Sequence, residues 1–438
     1  MKQTFSRKKF QQLIAKCGRI LRNNDKLSPE SIFDAFAGIL FTKIQNEKEN
    51  GQNATPTPDR FKHEPGTAGV KRVSIERILD ELDKFNISGS TGDLIGLAFE
   101  ELLGTTFRGK LGQFLTPRPI VDFMVRVLDP GENELVCDPC CGTGGFLVEA
   151  FRYVKEKTGP DSPARNLFGV DANPRMARTA KMNMIAHGDG RDGCAGVYHH
   201  DGLLNVGGVF GNRFDVILTN PPFGARVDRK MTVTGHDLPV EKKEIERLVH
   251  EYGGEYRDAL ERLKKHVGKP LRNLYDLGKT FGQTEVLFLE RCLRLLKPGG
   301  RMGIVLPEGV LNSDRMQKVR DYAEGRAKLL LVVSLPRDVF CSSGTAAKTS
   351  IVFLKKFTEA ESRHYGELVR TVTSELDKKE NEFDDEIRQE IKKRFNYKIL
   401  IADVQKAGIN RTGGPDENQL PRIAGDFEKY RKTNNLWE

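Results

Sequence analysis

The chain has 438 residues, 38% of them hydrophobic and 30% charged, a balance that suits a soluble globular protein of two or three domains and excludes collagen-like, mucin-like and wholly disordered classes. Seventy Lys and Arg against 61 Asp and Glu leave a formal charge of +9, which suits a polyanionic partner without requiring one. Seven cysteines, an odd number in a long chain, argue for a reducing cytoplasm rather than a disulfide framework, and the longest apolar run, at residues 329–335, is strand-sized, so no membrane span is expected.

Phe10, Leu13, Ile14, Cys17, Ile20 and Leu21 recur at three- and four-residue spacing and predict an amphipathic helix. This basic segment has no acid before Asp25, but it also has no continuous apolar stretch and no small-residue cleavage pattern, so it reads as a helix rather than a targeting peptide. Ser28-Pro29 offers an N-cap and a first-turn proline to a second helix carrying Ile32, Phe36, Ile39 and Leu40. Residues 46–66 are polar and rich in Pro, Thr and Lys and read as a loop. Ile75, Ile78, Leu79, Leu82 and Phe85 mark a third helix, and residues 94–103 a fourth.

From residue 135 short apolar runs alternate with helical patterns: 135–137, 167–170, 214–218, 301–306 and 329–335. That alternation predicts a parallel α/β sheet with helices on both faces. Residues 330–334 and 349–354 are joined without a helix and should form an antiparallel hairpin at one end. Beyond residue 356 the chain is densely and mixedly charged through Arg394 and then closes with a mixed stretch, the pattern of a solvated, mostly helical tail. The expected domains are a helical region at 1–105, an α/β domain at 106–357 with an insertion at about 225–280, and the tail at 358–438. Helical patterning in the insertion, which emerges from the sharpest loop of the chain, suggests a flap over a substrate or partner.

Two segments carry chemistry. In Asp138-Pro139-Cys140-Cys141-Gly142-Thr143-Gly144-Gly145, set between an expected strand and helix, glycines admit a ligand close to the backbone and N–H groups at the helix start face it, so a nucleotide-like ligand is expected. Leu147 stands where a third dinucleotide-fingerprint glycine would fall, and no P-loop Gly-Lys-Ser/Thr follows. The next strand ends in Asp171, suited to ribose hydroxyls, and a third strand-end acid, Asp201, suits an adenine amino group; the three are expected in register. Asn220-Pro221-Pro222-Phe223 follows a strand directly, and its two prolines remove donors while leaving carbonyl and amide oxygens free to grip an amino group. Cys137 and Cys140 have Cys-x-x-Cys spacing, but no second pair completes a zinc set, so they read as small fillers beside the cofactor and no metal is expected.

Together with Gly112-Gln113-Phe114-Leu115-Thr116-Pro117-Arg118, these motifs stand in the order found in N6-adenine DNA methyltransferases. In detail the chain resembles the modification subunit of type I restriction-modification systems, strongly over residues 111–356 and more faintly through 399–413. The resemblance implies an α/β, Rossmann-like, S-adenosylmethionine-dependent methyltransferase mixed sheet with an all-helical N-terminal domain and a charged, mostly helical C-terminal tail. It further implies that Gln113, Phe114, Leu115, Thr116, Pro117 and Arg118 line the S-adenosylmethionine site with Pro139, Gly142, Thr143, Gly144 and Gly145. Asp138 would lie near the amino end of the cofactor, Asp171 at its ribose and Asp201 at its adenine. Asn220 and the Pro221 carbonyl would accept hydrogen bonds from the target N6, Pro222 would stiffen the turn, and Phe223 would stack on the flipped base. Implied partners are double-stranded DNA, a separate specificity subunit docking on the C-terminal region, and a restriction nuclease subunit. The alternatives that remain are an RNA-base or protein-glutamine methyltransferase, and a non-catalytic assembly subunit.

Overall fold

The computed structural model describes residues 7–50, 55–63, 67, 69–85, 116–159, 166–185, 187, 196–239, 242–341, 346–377 and 383–437. Arg7–Asp25 (α1), Pro29–Asn50 (α2) and Arg72–Leu82 (α3) pack through the spacings expected of them: Leu13, Cys17 and Leu21 meet Phe33, Phe36 and Ile39, and Ile75, Ile78 and Leu82 close the cluster. The loop expected from residue 46 begins later, because α2 runs on to Asn50. Lys43 and Glu47, one turn apart, form an ion pair buried from solvent, and Asn46 Oδ1 accepts from Asn50 and from Arg60, so the polar residues there are tied into the helix. The helix expected at residues 94–103 lies outside the described residues.

Eight strands form the main sheet: Val136–Asp138 (β1), Leu167–Asp171 (β2), Gly196–His199 (β3), Phe214–Thr219 (β4), Leu296–Pro307 (β5), Ala327–Ser334 (β6), Thr349–Lys356 (β7) and Leu400–Asp403 (β8). They lie in the order β3-β2-β1-β4-β5-β7-β6-β8. All neighbours are parallel except β7, which runs antiparallel to both β5 and β6. The hairpin expected from the missing helix is therefore present, with β7 inserted between β5 and its own predecessor.

Alternation along the strands divides the core between two faces. Val136, Val216, Leu218 and Val305 point toward Arg118–Leu128 (α4), Gly145–Thr158 (α5) and Pro174–Met184 (α6). Their neighbours Cys137, Ile217, Ile304 and Leu306 point the other way. The insertion helix Lys242–Lys264 (α7) comes next in the chain, and Thr284–Leu295 (α8), the short Glu308–Asn312 (α9) and Gln317–Glu324 (α10) follow it, α8 and α10 covering that second face. Helix α6 also carries the N-terminal helices: Met176 and Met182 join their cluster, and Arg175 pairs with Asp34 of α2 at 2.7 Å.

The region after residue 358 is more than a charged tail. Glu359–Glu375 (α11) and Asp385–Arg394 (α12) are followed by β8, which pairs with β6 through Leu331 and Leu400. Then come a small antiparallel pair, Ala407–Ile409 (β9) and Pro415–Asn418 (β10), and Leu420–Thr433 (α13), whose Leu420, Ala424 and Phe427 enter the same core as Ile120 and Met124 of α4. The insertion is likewise seated on the body. Leu248, Tyr256 and Leu260 of α7 bury Phe210, and bridges Arg226–Gln283, Thr232–Pro270 and Val233–Val267 close the base of the segment.

Candidate active site

Strand order reverses at β1, whose neighbours β2 and β4 lead away in opposite directions, so a crevice opens at the carboxyl ends of these strands. β1 delivers Asp138 to that edge, one residue later than the sequence pattern placed the strand end. The chain then turns through Gly142 and Gly144, both left-handed at φ 53° and 81°, into α5. Asn183 of α6 donates its Nδ2 to the Thr143 carbonyl at 2.8 Å and holds the outer side of this turn. The inner side is fixed by Asp138, whose Oδ1 accepts from Thr219 Oγ1 at 2.7 Å and from the Cys140 amide at 3.1 Å. Burial pushes the Asp138 carboxyl up to about 7.

The three acids are staggered rather than level. Asp138 pairs in register with Gly169 and Asp171 with His199, so each acid stands two residues beyond its neighbour, about 6.6 Å per step along the strands. Asp171 accepts the Gly142 amide on Oδ2 and the Asn173 amide on Oδ1, at 2.9 and 2.8 Å. Each carboxylate oxygen keeps a second lone pair for a ligand. Asp201 accepts the Leu203 amide at 2.9 Å, and burial raises both carboxyls above the usual range.

β4 brings Asn220 to the same edge. Its Nδ2 donates to Thr116 Oγ1 at 2.9 Å across 104 residues of chain, and its Oδ1 is shielded from solvent with no hydrogen-bond partner among the described residues. Thr219 just before it bonds Asp138, so the glycine turn and the Asn-Pro-Pro-Phe turn share one hydrogen-bond network. Thr284 Oγ1 donates to the Pro222 carbonyl at 2.7 Å and pins the far side of the turn. Phe223 stands edge-on to the buried Phe340, ring centres 6.1 Å apart.

Of the other residues singled out from the sequence, Gln113, Phe114 and Leu115 lie outside the described residues. Pro117 caps α4, and Arg118 begins it with Nε 3.9 Å from Asp122. Cys137, Cys140 and Cys141 enter three different apolar clusters, which explains their small size, and burial raises all three thiols well above their ordinary range. Thr219, Asn183, Thr284 and Phe340 were not anticipated as site residues. Thr219 could have been found from its place at the strand end beside Asn220, whereas Asn183 and Thr284 act through contacts that only the fold creates.

The sequence matches the family model described as N-6 DNA Methylase over residues 90–244 and 277–411. It is 27% identical over 303 residues to the StySPI methylase subunit of a type I restriction enzyme from Salmonella potsdam, and equally to the EcoKI methylase subunit from Escherichia coli K12, each match covering 64% of this chain. The chain spans about half the length of these curated relatives, 48% in both cases. Among solved structures, a Listeria monocytogenes protein assigned to the class I S-adenosylmethionine-dependent methyltransferases superposes with a TM-score of 0.61 at 15% identity, over 99% of both chains. A type I restriction-modification methyltransferase subunit from Streptococcus thermophilus gives 0.54 at 16% identity, over 90% of this chain and 98% of that one. The fold is thus that of S-adenosylmethionine-dependent methyltransferases, and with the family match over more than half of its length the chain belongs to the N-6 DNA methylase family.

Proposed function

We propose that the chain transfers a methyl group from S-adenosylmethionine to adenine N6 in DNA, as the modification subunit of a type I restriction-modification complex. The observation that carries this reading is the shielded, unpartnered Oδ1 of Asn220, held in place through Nδ2 by Thr116 and set beside the glycine turn. A buried amide oxygen without a partner is costly unless a ligand donates to it. An exocyclic amine is such a donor.

The residues at the crevice suit the cofactor. Gly142 and Gly145 border open space, and Asp171 has lone pairs to spare for two hydroxyls. The stagger of Asp138, Asp171 and Asp201 matches an elongated ligand with an amino end, a ribose and an adenine. When bound, S-adenosylmethionine supplies an electrophilic methyl on its sulfonium. Asn220 and the Pro221 carbonyl accept the N6 hydrogens, which draws the nitrogen lone pair out of conjugation and aims it, and Phe223 stacks on the base. Proximity and alignment do the rest; once N6 carries the methyl it is cationic and gives up one proton readily to water, so no strong general base is needed. A paired adenine cannot reach a turn recessed at a sheet edge, so the base must leave the duplex. Residues 225–280 act as a flap over the DNA, and a separate specificity subunit supplies sequence recognition. Among the described residues no helix is long and apolar enough to cross a membrane.

Asp138 makes cofactor binding pH-dependent. Its folded carboxyl titrates at about 7 against an ordinary 3.8, so between those values the native state holds the extra proton and this group's contribution to stability falls as pH rises. A cofactor ammonium beside it favours the ionised form. S-Adenosylmethionine affinity is therefore expected to rise roughly tenfold between pH 5.5 and 7, and Asp138→Asn should flatten the profile, as read by calorimetry.

The flap begins with Arg226, Arg229 and Lys230, all exposed and none within ion-pair distance of a carboxylate among the described residues. Burial, with the nearby Arg229 and Arg226, lowers the pKa of Arg272 beneath them, a sign of concentrated positive charge. Replacing the three exposed cations by Ala is expected to weaken DNA binding and reduce the salt slope of log K by about 2 to 3, with cofactor affinity unchanged. Fluorescence anisotropy with a labelled duplex across salt concentrations checks both.

The reading as a whole is tested by sequencing modified bases in DNA from cells with and without the gene, alongside tritium transfer to DNA, RNA and protein. Loss of N6-methyladenine at one sequence motif supports it; label passing to RNA or protein instead of DNA rejects it.

A further inference from the structure

A second cavity, of about 570 Å³, lies at the opposite end of the sheet from Asn220. Asn212 just before β4, Arg326 just before β6 and Lys356 at the end of antiparallel β7 all line it, so it opens at the amino ends of the parallel strands. α7 forms its roof with Glu255, Asp258 and Arg262. Nothing in the methyl-transfer chemistry uses this space.

Its charges are unbalanced in a particular way. Arg291 and Arg294 are already spent on the fold, the first on the Gly202 and Leu204 carbonyls, the second on Asp276 and Glu290. Among the described residues Lys356, Arg326 and Arg262 have no carboxylate within ion-pair distance. Lys356 Nζ donates to Asn212 Oδ1 and the Leu296 carbonyl at 2.9 and 2.6 Å, which leaves it one donor, and the Arg326 guanidinium carbon stands 3.7 Å from the Tyr322 ring centre with one arm on the Tyr322 carbonyl. Desolvation, then the nearness of Arg326, pulls Lys356 down to about 8. Lys356 is partly desolvated beside the exposed Arg326 with no counter-ion among the described residues, so an anion that bridges the two is favoured there. Glu255 and Asp258 likewise make no ion pair among the described residues and offer acceptors from the roof.

We propose that this cavity binds a small phosphorylated ligand of nucleotide size, its phosphate held by Lys356 and Arg326 and its hydroxyl or amino donors by Glu255 and Asp258. The volume suits such a ligand, which falls within the range of small-molecule sites. The roof belongs to the segment that leaves the Asn-Pro-Pro-Phe turn, so the ligand fastens the insertion to the body of the domain.

The test uses the full chain with S-adenosylhomocysteine present in excess, titrated calorimetrically with ADP, ribose 5-phosphate and inorganic phosphate. ADP is expected to bind alongside S-adenosylhomocysteine, and Arg326→Ala and Lys356→Gln should each weaken it roughly tenfold, as loss of one charge-assisted contact does. The affinity for S-adenosylhomocysteine should stay the same in both. Arg326 is exposed, so its variant keeps the test valid even where the Lys356 variant loses stability. Absence of binding by all three probes at millimolar concentration overturns the proposal. So does equal ADP binding by wild type and Arg326→Ala, or displacement of ADP by S-adenosylhomocysteine or by a short DNA duplex. These titrations involve no methyl transfer, so their outcome is separate from that of the methylation assays.

Discussion

Asn220→Ala is expected to lower single-turnover methyl transfer about 10²- to 10³-fold while S-adenosylmethionine binds within about threefold of wild type, the range found when one preorganised polar contact to a reacting centre is removed. The expectation follows from the division of labour at the crevice. Among the described residues Asn220 connects to the acids through its neighbours: Thr219 bonds Asp138, and Nδ2 bonds Thr116, whereas Oδ1 is shielded and unpartnered, and the proposed reading gives it the amine. Truncation removes the acceptor and leaves the acids and the glycine turn intact. Asn220→Asp offers an informative contrast, because it keeps an acceptor but loses the donor that Thr116 receives, and its activity should fall between the two. Rapid-quench measurement with excess enzyme separates chemistry from product release. Full-rate transfer by Asn220→Ala would move the reacting centre elsewhere.

The second large effect is structural. A Cβ placed on Gly202 would stand 1.8 Å from the carbonyl oxygen of Pro139, a backbone atom that cannot swing aside. Pro139 joins Asp138 to the glycine turn, so the shift reaches the cofactor crevice directly. Gly202→Ala is expected to destabilise the chain by about 2 to 4 kcal/mol, at the upper end for overpacking, and to weaken S-adenosylmethionine binding more than about tenfold. Gly366→Ala is the matched control: the site lies in α11 with nothing within 4 Å of the added carbon, and the change should be neutral or stabilising by about 0.5 to 1 kcal/mol. Denaturant unfolding of both variants, with calorimetric titration of the cofactor, checks the pair.

Much of this architecture is written locally in the chain. The strands could be placed because Val136, Cys137, Val216, Ile217 and their neighbours are apolar on both faces, the signature of a sheet covered twice. The glycine turn and the Asn-Pro-Pro-Phe turn were legible because the residue types themselves restrict the backbone. What escaped was whatever depends on distant partners. Leu400–Asp403 lies in a short apolar run, residues 399–402, that shows no alternation and no helix-strand rhythm around it, and only its pairing with β6 makes it a strand of the sheet. The polar end of α2 looks like a loop until Lys43 and Glu47 are seen to neutralise each other. The stagger of Asp138, Asp171 and Asp201 is a property of strand pairing and has no trace in spacing. The Asn183 contact to the Thr143 carbonyl is of the same kind.

The late arrival of β8 has a consequence for how the molecule is made. Until residues 400–403 emerge from the ribosome, β6 ends the sheet with a bare row of backbone donors and acceptors along Leu331, Val332, Val333 and Ser334. An open border of that composition is a template for sticking to other nascent copies. Chains truncated before Leu400 should therefore accumulate as inclusion bodies, even though Asp138, Asp171, Asp201 and Asn220 have all been synthesised by then.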